Sequence, residues 1–340
     1  MTDRGLRYVP ALDGIRAVAI LLVIGYHYFA LPPGGEVGVD LFFVLSGFLI
    51  TALLLEERAS RGTVSLRSFY VRRARRLFPA LGVMVGVFLT VATVRGEHRF
   101  ASAAAGVSYV GNILLAYGIT PVINHSPMVP LWSLAEEEQF YLLWPCALLL
   151  LLRSRRVLIW LCLLIVVLSL YRAGLDMAGR SHMRLYYGPD THATGLLLGC
   201  LLALWRFRFG LDVGERAAKA GVVLVAASAV IGWHVPGWAA WGQLMLELGA
   251  ALLVAAALSQ TELARGLSSP WLVWVGKRSY SLYLWHVPAM WLIFGSPLRP
   301  LALAVAFGLA ACSYRFIEQP LRVRTPRARE RVLRARPGEA

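Results

Sequence analysis

The stretch that decides the fold is an apolar run with three ionisable side chains, Asp13-Gly-Ile-Arg-Ala-Val-Ala-Ile-Leu-Leu-Val-Ile-Gly-Tyr-His27. Arg16 and His27 are eleven residues apart, which at 100° per residue is about three turns plus 20°. In a helix they therefore share one face, about 16 Å apart along the axis. Asp13 lies one turn before Arg16. Ionisable groups at membrane depth face a bundle interior or a wet cavity, so this run predicts a membrane helix that borders a polar cavity.

The composition indicates a membrane protein with many helices. Of 340 residues, 58% are hydrophobic and only 16% are charged, whereas a soluble domain is typically about 25% charged. Many apolar runs approach the roughly 20 residues that a spanning helix needs. The net charge of +15 comes from basic clusters between these runs, as the positive-inside rule predicts. We therefore predict no nucleic-acid partner and an all-α, polytopic helix bundle.

The basic clusters order the runs into ten spans with both termini in the cytoplasm. If the segment 101–119 crossed the membrane, all later loops would lie on the side opposite to the one that their basic residues predict. We therefore expect a re-entrant or interfacial helix there. Residues 1–322 form the predicted membrane domain, and 323–340 form a basic, disordered cytoplasmic tail. The composition is rich in Arg and Ala, which fits a bacterial protein. We expect the chain to lie in the plasma membrane of a bacterium. The predicted spans are 11–29, 39–55, 80–94, 133–152, 157–171, 191–205, 221–235, 241–258, 280–294 and 301–317.

This topology brings polar residues together in the outer half of the bundle. His27 is the candidate general base, because the unperturbed pKa of an imidazole is near 6.5. The alternative is a histidine that is satisfied inside the core. Arg16 keeps its charge and pairs either with Asp13 or with a phosphate or carbonyl of the substrate. The predicted acceptor or cavity residues are Asp13, Asp40, Asp190, Tyr283 and His286.

Three consecutive acids, Glu136, Glu137 and Glu138, form the densest acidic feature. Consecutive helical side chains point 100° apart, so at most two of them face one cavity. One interpretation is a capping box, with Ser133 as the N-cap and Glu136 at its third position. We expect in addition that Glu136 or Glu137 orients the imidazole of His27 or binds the acceptor.

The cluster Arg72-Arg73-Ala-Arg75-Arg76 is the densest basic feature. Such clusters commonly set orientation and contact lipid headgroups. Arg72, Arg73 and Arg76 are also candidates for the phosphates of a cytoplasmic donor, since arginine binds phosphate in a bidentate manner. We find no P-loop and no metal-ligand spacing, and we predict no metal.

Several motifs together resemble acyltransferase family 3, a family of integral membrane O-acyltransferases. Leu12-Asp-Gly-x-Arg16 with His27 is similar to the family's first-helix R-x10-H motif, and Gly38-Val-Asp-Leu-Phe-Phe-Val-Leu-Ser-Gly-Phe48 to its second-helix signature. The other matching stretches are Arg72-Arg-x-x-Arg-Leu-x-Pro79, Leu131-Trp-Ser-Leu-x-Glu-Glu-x-Gln-Phe-Tyr141, Ser279-Tyr-Ser-x-Tyr-Leu-x-His286 and Glu318-x-Pro-Leu321. Asp190-x-His192 departs from the family pattern, which often has Arg at the position of His192.

The resemblance implies transfer of an acyl group, usually acetyl, from cytoplasmic acyl-CoA to a hydroxyl. The acceptor would be a saccharide, a glycan, a glycolipid or a macrolide. His27 would be the catalytic base, Arg16 its partner on the helix, and Arg73 and Arg76 would bind the donor phosphates. The alternative function from the residues alone is a transporter or proton-coupled carrier, which also uses intramembrane His, Arg and Glu.

Overall fold

The structure is a computed structural model that describes residues 8–119, 126–231, 238–293 and 298–323. These ranges contain no β-strand, which confirms the predicted all-α class. Two π-helical turns, Trp238–Gly242 and Tyr314–Glu318, precede the twelfth and the last α-helix. The α-helices within these ranges are α1 (Pro10–Phe29), α2 (Val37–Arg61), α3 (Leu66–Val94), α4 (Phe100–Val107), α5 (Gly111–Ala116), α6 (Leu131–Leu151), α7 (Val157–Met177), α8 (His182–Tyr187), α9 (Pro189–His192), α10 (Thr194–Phe209), α11 (Glu215–Ile231), α12 (Gln243–Ala257), α13 (Glu262–Leu267), α14 (Pro270–Lys277), α15 (Ser279–Leu292), α16 (Arg299–Ser313) and α17 (Gln319–Val323).

The chain divides into two compact units. Unit 1 comprises Met1–Val64 and Ala104–Ser279, and unit 2 comprises Ser65–Ala103 and Tyr280–Ala340. The ends of two predicted spans, 232–235 and 294, lie outside the described residues. Nearly all of the predicted tail, 324–340, also lies outside them.

Among the described residues, five helices are long and apolar enough to cross a membrane: α1, α2, α3, α7 and the continuous helix Arg299–Leu321. The ten predicted spans exceed this number. α6 has 21 residues but carries three glutamates near its start. The remaining predicted spans fall on helices of 14 to 17 residues, which are shorter than the roughly 20 residues that a span needs.

The segment 101–119 does not form one spanning helix. It contains α4, with eight residues, and α5, with six. Tyr109 lies between them in the left-handed region with φ 55°, which ends the first helix. Both helices are too short to cross a bilayer. This break agrees with the expectation that the segment does not cross as a single helix.

The basic cluster lies on a helix and not in a loop before one. α3 runs without interruption from Leu66 to Val94, with Pro79 inside it. A proline removes one backbone hydrogen bond and usually kinks or ends a helix. At this turn the Tyr280 hydroxyl donates to the Leu77 carbonyl over 2.9 Å, which attaches α15 to α3 within unit 2. The helix that carries the predicted span 80–94 therefore begins about four helical turns before residue 80.

Helix α2 forms the centre of unit 1, where it packs against α10, α1, α12 and α6. Gly47 and Gly199 allow the closest approach. A Cβ at Gly47 would overlap the carbonyl of Leu196, and one at Gly199 would overlap the carbonyl of Val44. Small residues let membrane helices pack backbone against backbone, which maximises dispersion contacts where there is little hydrophobic driving force.

The connection from α1 to α2 is held tightly against both neighbours. α1 ends at Ala30, which adopts the left-handed conformation with φ 54°. The Gly34 amide donates to the Ala229 carbonyl over 2.8 Å. A Cβ at Gly35 would lie 2.5 Å from the Cβ of Tyr26 and 2.7 Å from the carbonyl oxygen of Leu22. Glycine is therefore required for the turn to pack against the last turns of α1.

Unit 2 contains α3, α15, α16 and α17. The Arg95 guanidinium donates to the carbonyls of Trp291 and Leu292 over 3.0 and 2.9 Å and lies over the Trp291 ring. It thereby satisfies carbonyls at the end of α15 that have no partner within the helix. The Ser281 hydroxyl donates to the Glu318 carboxylate, which joins two of the motifs described above.

We expect Gly47→Ala to destabilise the protein, because the new methyl group must push α10 away from α2. Overpacking of this kind costs about 1–3 kcal/mol. The measurement is the thermal unfolding midpoint of the purified protein in detergent. The matched control is Gly82→Ala in α3, where a Cβ meets nothing within 4 Å. Equal midpoints for the two variants would contradict the assigned packing.

Candidate active site

One end of unit 1 collects polar side chains from several helix termini. His27 lies in the last turn of α1, Asp40 in the first turn of α2, and Glu136 near the start of α6. Hydrogen bonds and ring contacts join the termini of α2, α6, α7, α9, α10 and α12 there. We call this region the polar end of unit 1. Asp40 is hydrogen-bonded within this region, whereas the predicted residues Tyr283 and His286 belong to unit 2.

The His27 imidazole is held in one orientation by its own helix. Its Nδ1 lies 2.9 Å from the Val23 carbonyl oxygen. A carbonyl only accepts, so Nδ1 donates, and the lone pair of the neutral ring is then on Nε2. The side chain is exposed, and the Tyr26 ring packs edge-on with centroids 5.5 Å apart. A general base needs a ring held in a fixed orientation, and the hydrogen bond to Val23 provides this for His27.

His192 has a different role, because its neighbours occupy both ring nitrogens. Nε2 lies 2.8 Å from Asp40 Oδ1, and Nδ1 lies 2.5 Å from the Tyr186 carbonyl oxygen. Gln243 Nε2 also donates to Asp40 Oδ1 over 3.1 Å. His192 is fully buried, and the Trp132 ring lies beside it. We conclude that His192 joins helix ends and has no nitrogen left for a substrate.

A buried ion pair that the sequence analysis missed lies next to this group. Arg172 Nη1 is 3.6 Å from Glu247 Oε1, and both side chains are fully buried. The Thr194 hydroxyl accepts from Arg172 over 3.0 Å and donates to Glu247 over 2.6 Å. The signal in the sequence was Glu247, an acid inside the apolar run 241–258. An ionisable residue in such a run normally has a partner on another helix.

The three consecutive acids separate, as their 100° spacing predicts. Glu137 Oε1 accepts from the Ser46 hydroxyl over 2.7 Å. Glu136 is 1% exposed, and neither of its carboxylate oxygens has a hydrogen-bond partner among the described residues. His192 and Asp40 are among its strongest electrostatic neighbours. The capping-box interpretation is wrong, because α6 begins at Leu131 and Ser133 lies inside the helix.

Asp190 is fixed by an arginine that the sequence analysis did not single out. Arg184 Nη1 donates to Asp190 Oδ1 over 2.9 Å, its Nη2 donates to Oδ2, and the Tyr171 hydroxyl donates to Oδ2 over 3.3 Å. Burial alone would raise the pKa of Asp190, but the hydrogen bonds and charge of Arg184 outweigh it and hold that pKa below its usual range. Asp190 therefore forms a two-pronged ion pair with Arg184.

Asp13 lies far from His27. The two residues are fourteen positions apart in α1, which corresponds to about 21 Å along the axis. Asp13 Oδ2 accepts from the Tyr8 hydroxyl over 2.8 Å. A Cβ at Gly276 would overlap the Asp13 carbonyl, so α14 packs directly against this turn. Arg16, half-buried one turn further, lies about 16 Å from His27.

The other predicted residues belong to unit 2. Arg72, Arg73 and Arg76 are half-buried in the first half of α3. Tyr283 and His286 are both buried in α15, where His286 Nδ1 donates to the Tyr283 carbonyl over 2.7 Å. Across the described ranges of the chain, no three His, Cys, Asp or Glu side chains are grouped so that they could hold a metal ion.

Comparison with known proteins gives a match over most of the chain. The family described as "Acyltransferase domain" matches residues 9–313. The peptidoglycan O-acetyltransferase OatA of Listeria monocytogenes serovar 1/2a is 35% identical over 93% of this chain and 56% of its own length. YrhL of Bacillus subtilis strain 168 is 35% identical over 93% of this chain and 55% of its own length. No solved structure matches significantly.

The chain thus spans about half the length of these curated relatives. The family match, by contrast, covers nearly all of the described residues. It includes α1 with Arg16 and His27, α3 with its arginines and α6 with its acids. The resemblance drawn from the motifs is confirmed: the chain belongs to the acyltransferase family.

Proposed function

We propose that the chain is a bacterial membrane O-acyltransferase that moves an acetyl group from cytoplasmic acyl-CoA to a hydroxyl of a glycan. The observation that carries this proposal is the geometry of His27, whose Nδ1 is anchored to the Val23 carbonyl while the side chain stays exposed. Because the name of OatA specifies peptidoglycan, the sugar hydroxyls of peptidoglycan are the first acceptors to test. The predicted carrier function receives no support from the family match.

The reaction that we propose needs one base. Nε2 of His27 takes the proton of the acceptor hydroxyl while the oxygen attacks the thioester carbonyl. The carbon–sulfur bond then breaks, and the CoA thiolate receives the proton from the imidazolium. The products are the acetyl ester and free CoA, with no net release of a proton. A relay through an acetyl-histidine is the competing route, and radiolabelled protein formed from labelled acetyl-CoA without an acceptor would reveal it.

We assign the donor phosphates to Arg72, Arg73 and Arg76, which lie within two turns of α3. Arginine suits phosphate because its planar group donates two parallel hydrogen bonds. Arg16 would then contact the donor between its phosphates and its thioester. The approximately 16 Å between Arg16 and His27 suits the extended pantetheine arm better than two adjacent catalytic groups.

We assign the acids of the polar end of unit 1 to the acceptor side. Glu136 and Glu137 are proposed to orient the imidazole or the acceptor, and the unpartnered carboxylate of Glu136 supports this for Glu136. Asp40 and Asp190 would act by fixing the helix ends to which their partners belong. Asp13, Tyr283 and His286 remain predicted cavity residues.

We expect His27→Ala to lower kcat by about 10²–10⁴, the usual contribution of a general base. The measurement is release of CoA thiol by the purified protein in nanodiscs, with acetyl-CoA and a peptidoglycan glycan fragment. His98→Ala is the matched control, because His98 is an exposed histidine outside the polar end of unit 1. Normal thiol release by His27→Ala would show that another group is the base.

We expect Arg73→Ala and Arg76→Ala each to raise the KM for acetyl-CoA at least tenfold. A hydrogen bond to a charged group is worth about 1.5–3 kcal/mol. The KM for the acceptor should stay unchanged. Arg67→Ala, an exposed arginine in the first turn of α3, is the control.

Acetyl-pantetheine, which lacks the nucleotide phosphates, makes this donor test specific. The wild type should prefer acetyl-CoA over acetyl-pantetheine, and the two variants should lose most of that preference. An unchanged preference in both variants would place the phosphates elsewhere.

A further inference from the structure

Three half-buried side chains from three segments form a group that includes Tyr26, the chain neighbour of His27. They are Tyr26 in the last turn of α1, Glu36 at the N-cap of α2, and Tyr187 at the end of α8. The hydroxyls of Tyr26 and Tyr186 donate to the Glu36 carboxylate. Tyr187 lies close enough to interact electrostatically with both Glu36 and Tyr26. None of these residues has a role in the mechanism proposed above.

The backbone around Glu36 is fixed from two sides. Gly34 is hydrogen-bonded to the Ala229 carbonyl, and Gly35 packs against the Cβ of Tyr26. Behind Glu36 is a small cavity of about 10 Å³ that is also lined by Asp40 and Gln243. This volume accommodates at most one water molecule. The backbone that leads into Glu36 is therefore held in place before any ligand binds, which lowers the entropic cost of binding.

The chemistry of the three groups suits a sugar ring. A carboxylate only accepts hydrogen bonds and has about four lone-pair positions, so two tyrosine hydroxyls leave capacity for further hydroxyl donors. Tyrosine offers an apolar ring face together with a hydroxyl. The negative charges of Glu36 and neighbouring Asp40 disfavour the phosphates of acyl-CoA. This surface thus discriminates against the donor and accepts a ligand rich in hydroxyl groups.

Tyr26 connects this group of residues to His27. The rings of Tyr26 and His27 are neighbours along α1, with centroids 5.5 Å apart. Because Glu36 is a hydrogen-bond partner of Tyr26, the group borders the turn of α1 that carries His27.

We propose that Tyr26, Glu36 and Tyr187 form an acceptor subsite that binds hydroxyl groups of the sugar other than the one that is acetylated. This inference rests on the proposed O-acyltransferase function and assigns its acceptor side. The subsite positions the ring so that one hydroxyl meets His27. The three residues bind the acceptor and do not take part in proton transfer.

The test uses Glu36→Gln and Tyr187→Phe in the full chain in nanodiscs, with acetyl-CoA as donor and the N-acetylglucosamine trimer as acceptor. Each variant should raise the KM for the trimer about tenfold or more, as expected for the loss of a hydrogen bond to a charged or buried group. The kcat at saturating trimer and the KM for acetyl-CoA should change less than threefold. The controls are Glu262→Gln, in an exposed residue, and Tyr314→Phe, in a half-buried residue of unit 2; both lie outside the subsite. An unchanged KM for the trimer, or an equal change in the KM for the donor, would overturn the proposal.

A deoxy acceptor separates binding from mere structural support. Trimer analogues that each lack one unreactive hydroxyl should be poor acceptors for the wild type. For the analogue that lacks the hydroxyl bound by Glu36, Glu36→Gln should not raise the KM any further, because the hydrogen bond is already absent. Strictly additive penalties for every analogue would mean that Glu36 contacts none of these hydroxyls.

Binding of the trimer without donor keeps this test independent of the proposed function. Saturation-transfer NMR should show contact of the trimer with the wild type and at least tenfold weaker binding to Glu36→Gln. If the wild type binds the trimer but does not acetylate it, the proposed function fails and the subsite stands. If both proteins bind it equally, the subsite is wrong whatever the enzyme transfers.

Discussion

A carboxylate buried at the start of a central apolar helix is the constraint on which the polar end of unit 1 depends. Asp40 is 3% exposed, and a buried carboxylate is tolerated only with hydrogen-bond donors or a compensating charge. His192 from α9 and Gln243 from α12 supply the donors. This requirement brings the ends of three separate segments together at fixed distances.

Arg172 and Glu247 are a second pair of buried charged groups, and each compensates the charge of the other. Their pairing ties α7 to α12, and Thr194 adds the start of α10. A buried ion pair adds little net stability compared with apolar side chains, but breaking one partner costs several kcal/mol. Such pairs therefore specify which helix ends meet. Exposed His27 and half-buried Glu36 stand at the margin of this rigid frame.

Local features of the fold were predictable from the sequence, and non-local ones were not. The apolar run of α1, its break before α2 and the angular separation of Glu136 from Glu137 all follow from spacing along one helix. The pairing of Arg172 with Glu247 joins residues 75 positions apart, and no periodicity encodes that distance. Glu36 and Tyr187 were missed for the same reason. The continuation of α3 through Pro79 was not predicted, because proline ends helices in water more reliably than it does where neighbouring helices support the backbone.

The close contact of α14 with α1 has a consequence for biosynthesis. A Cβ at Gly276 would overlap the carbonyl of Asp13, so two turns 263 residues apart must meet backbone to backbone. At about 5–20 residues per second, the ribosome needs roughly 13 to 50 s to make the chain between them. Helix α1 is thus made well before the turn of α14 against which it packs. During that interval Arg16 and His27 must be accommodated by lipid headgroups, water or the insertion machinery.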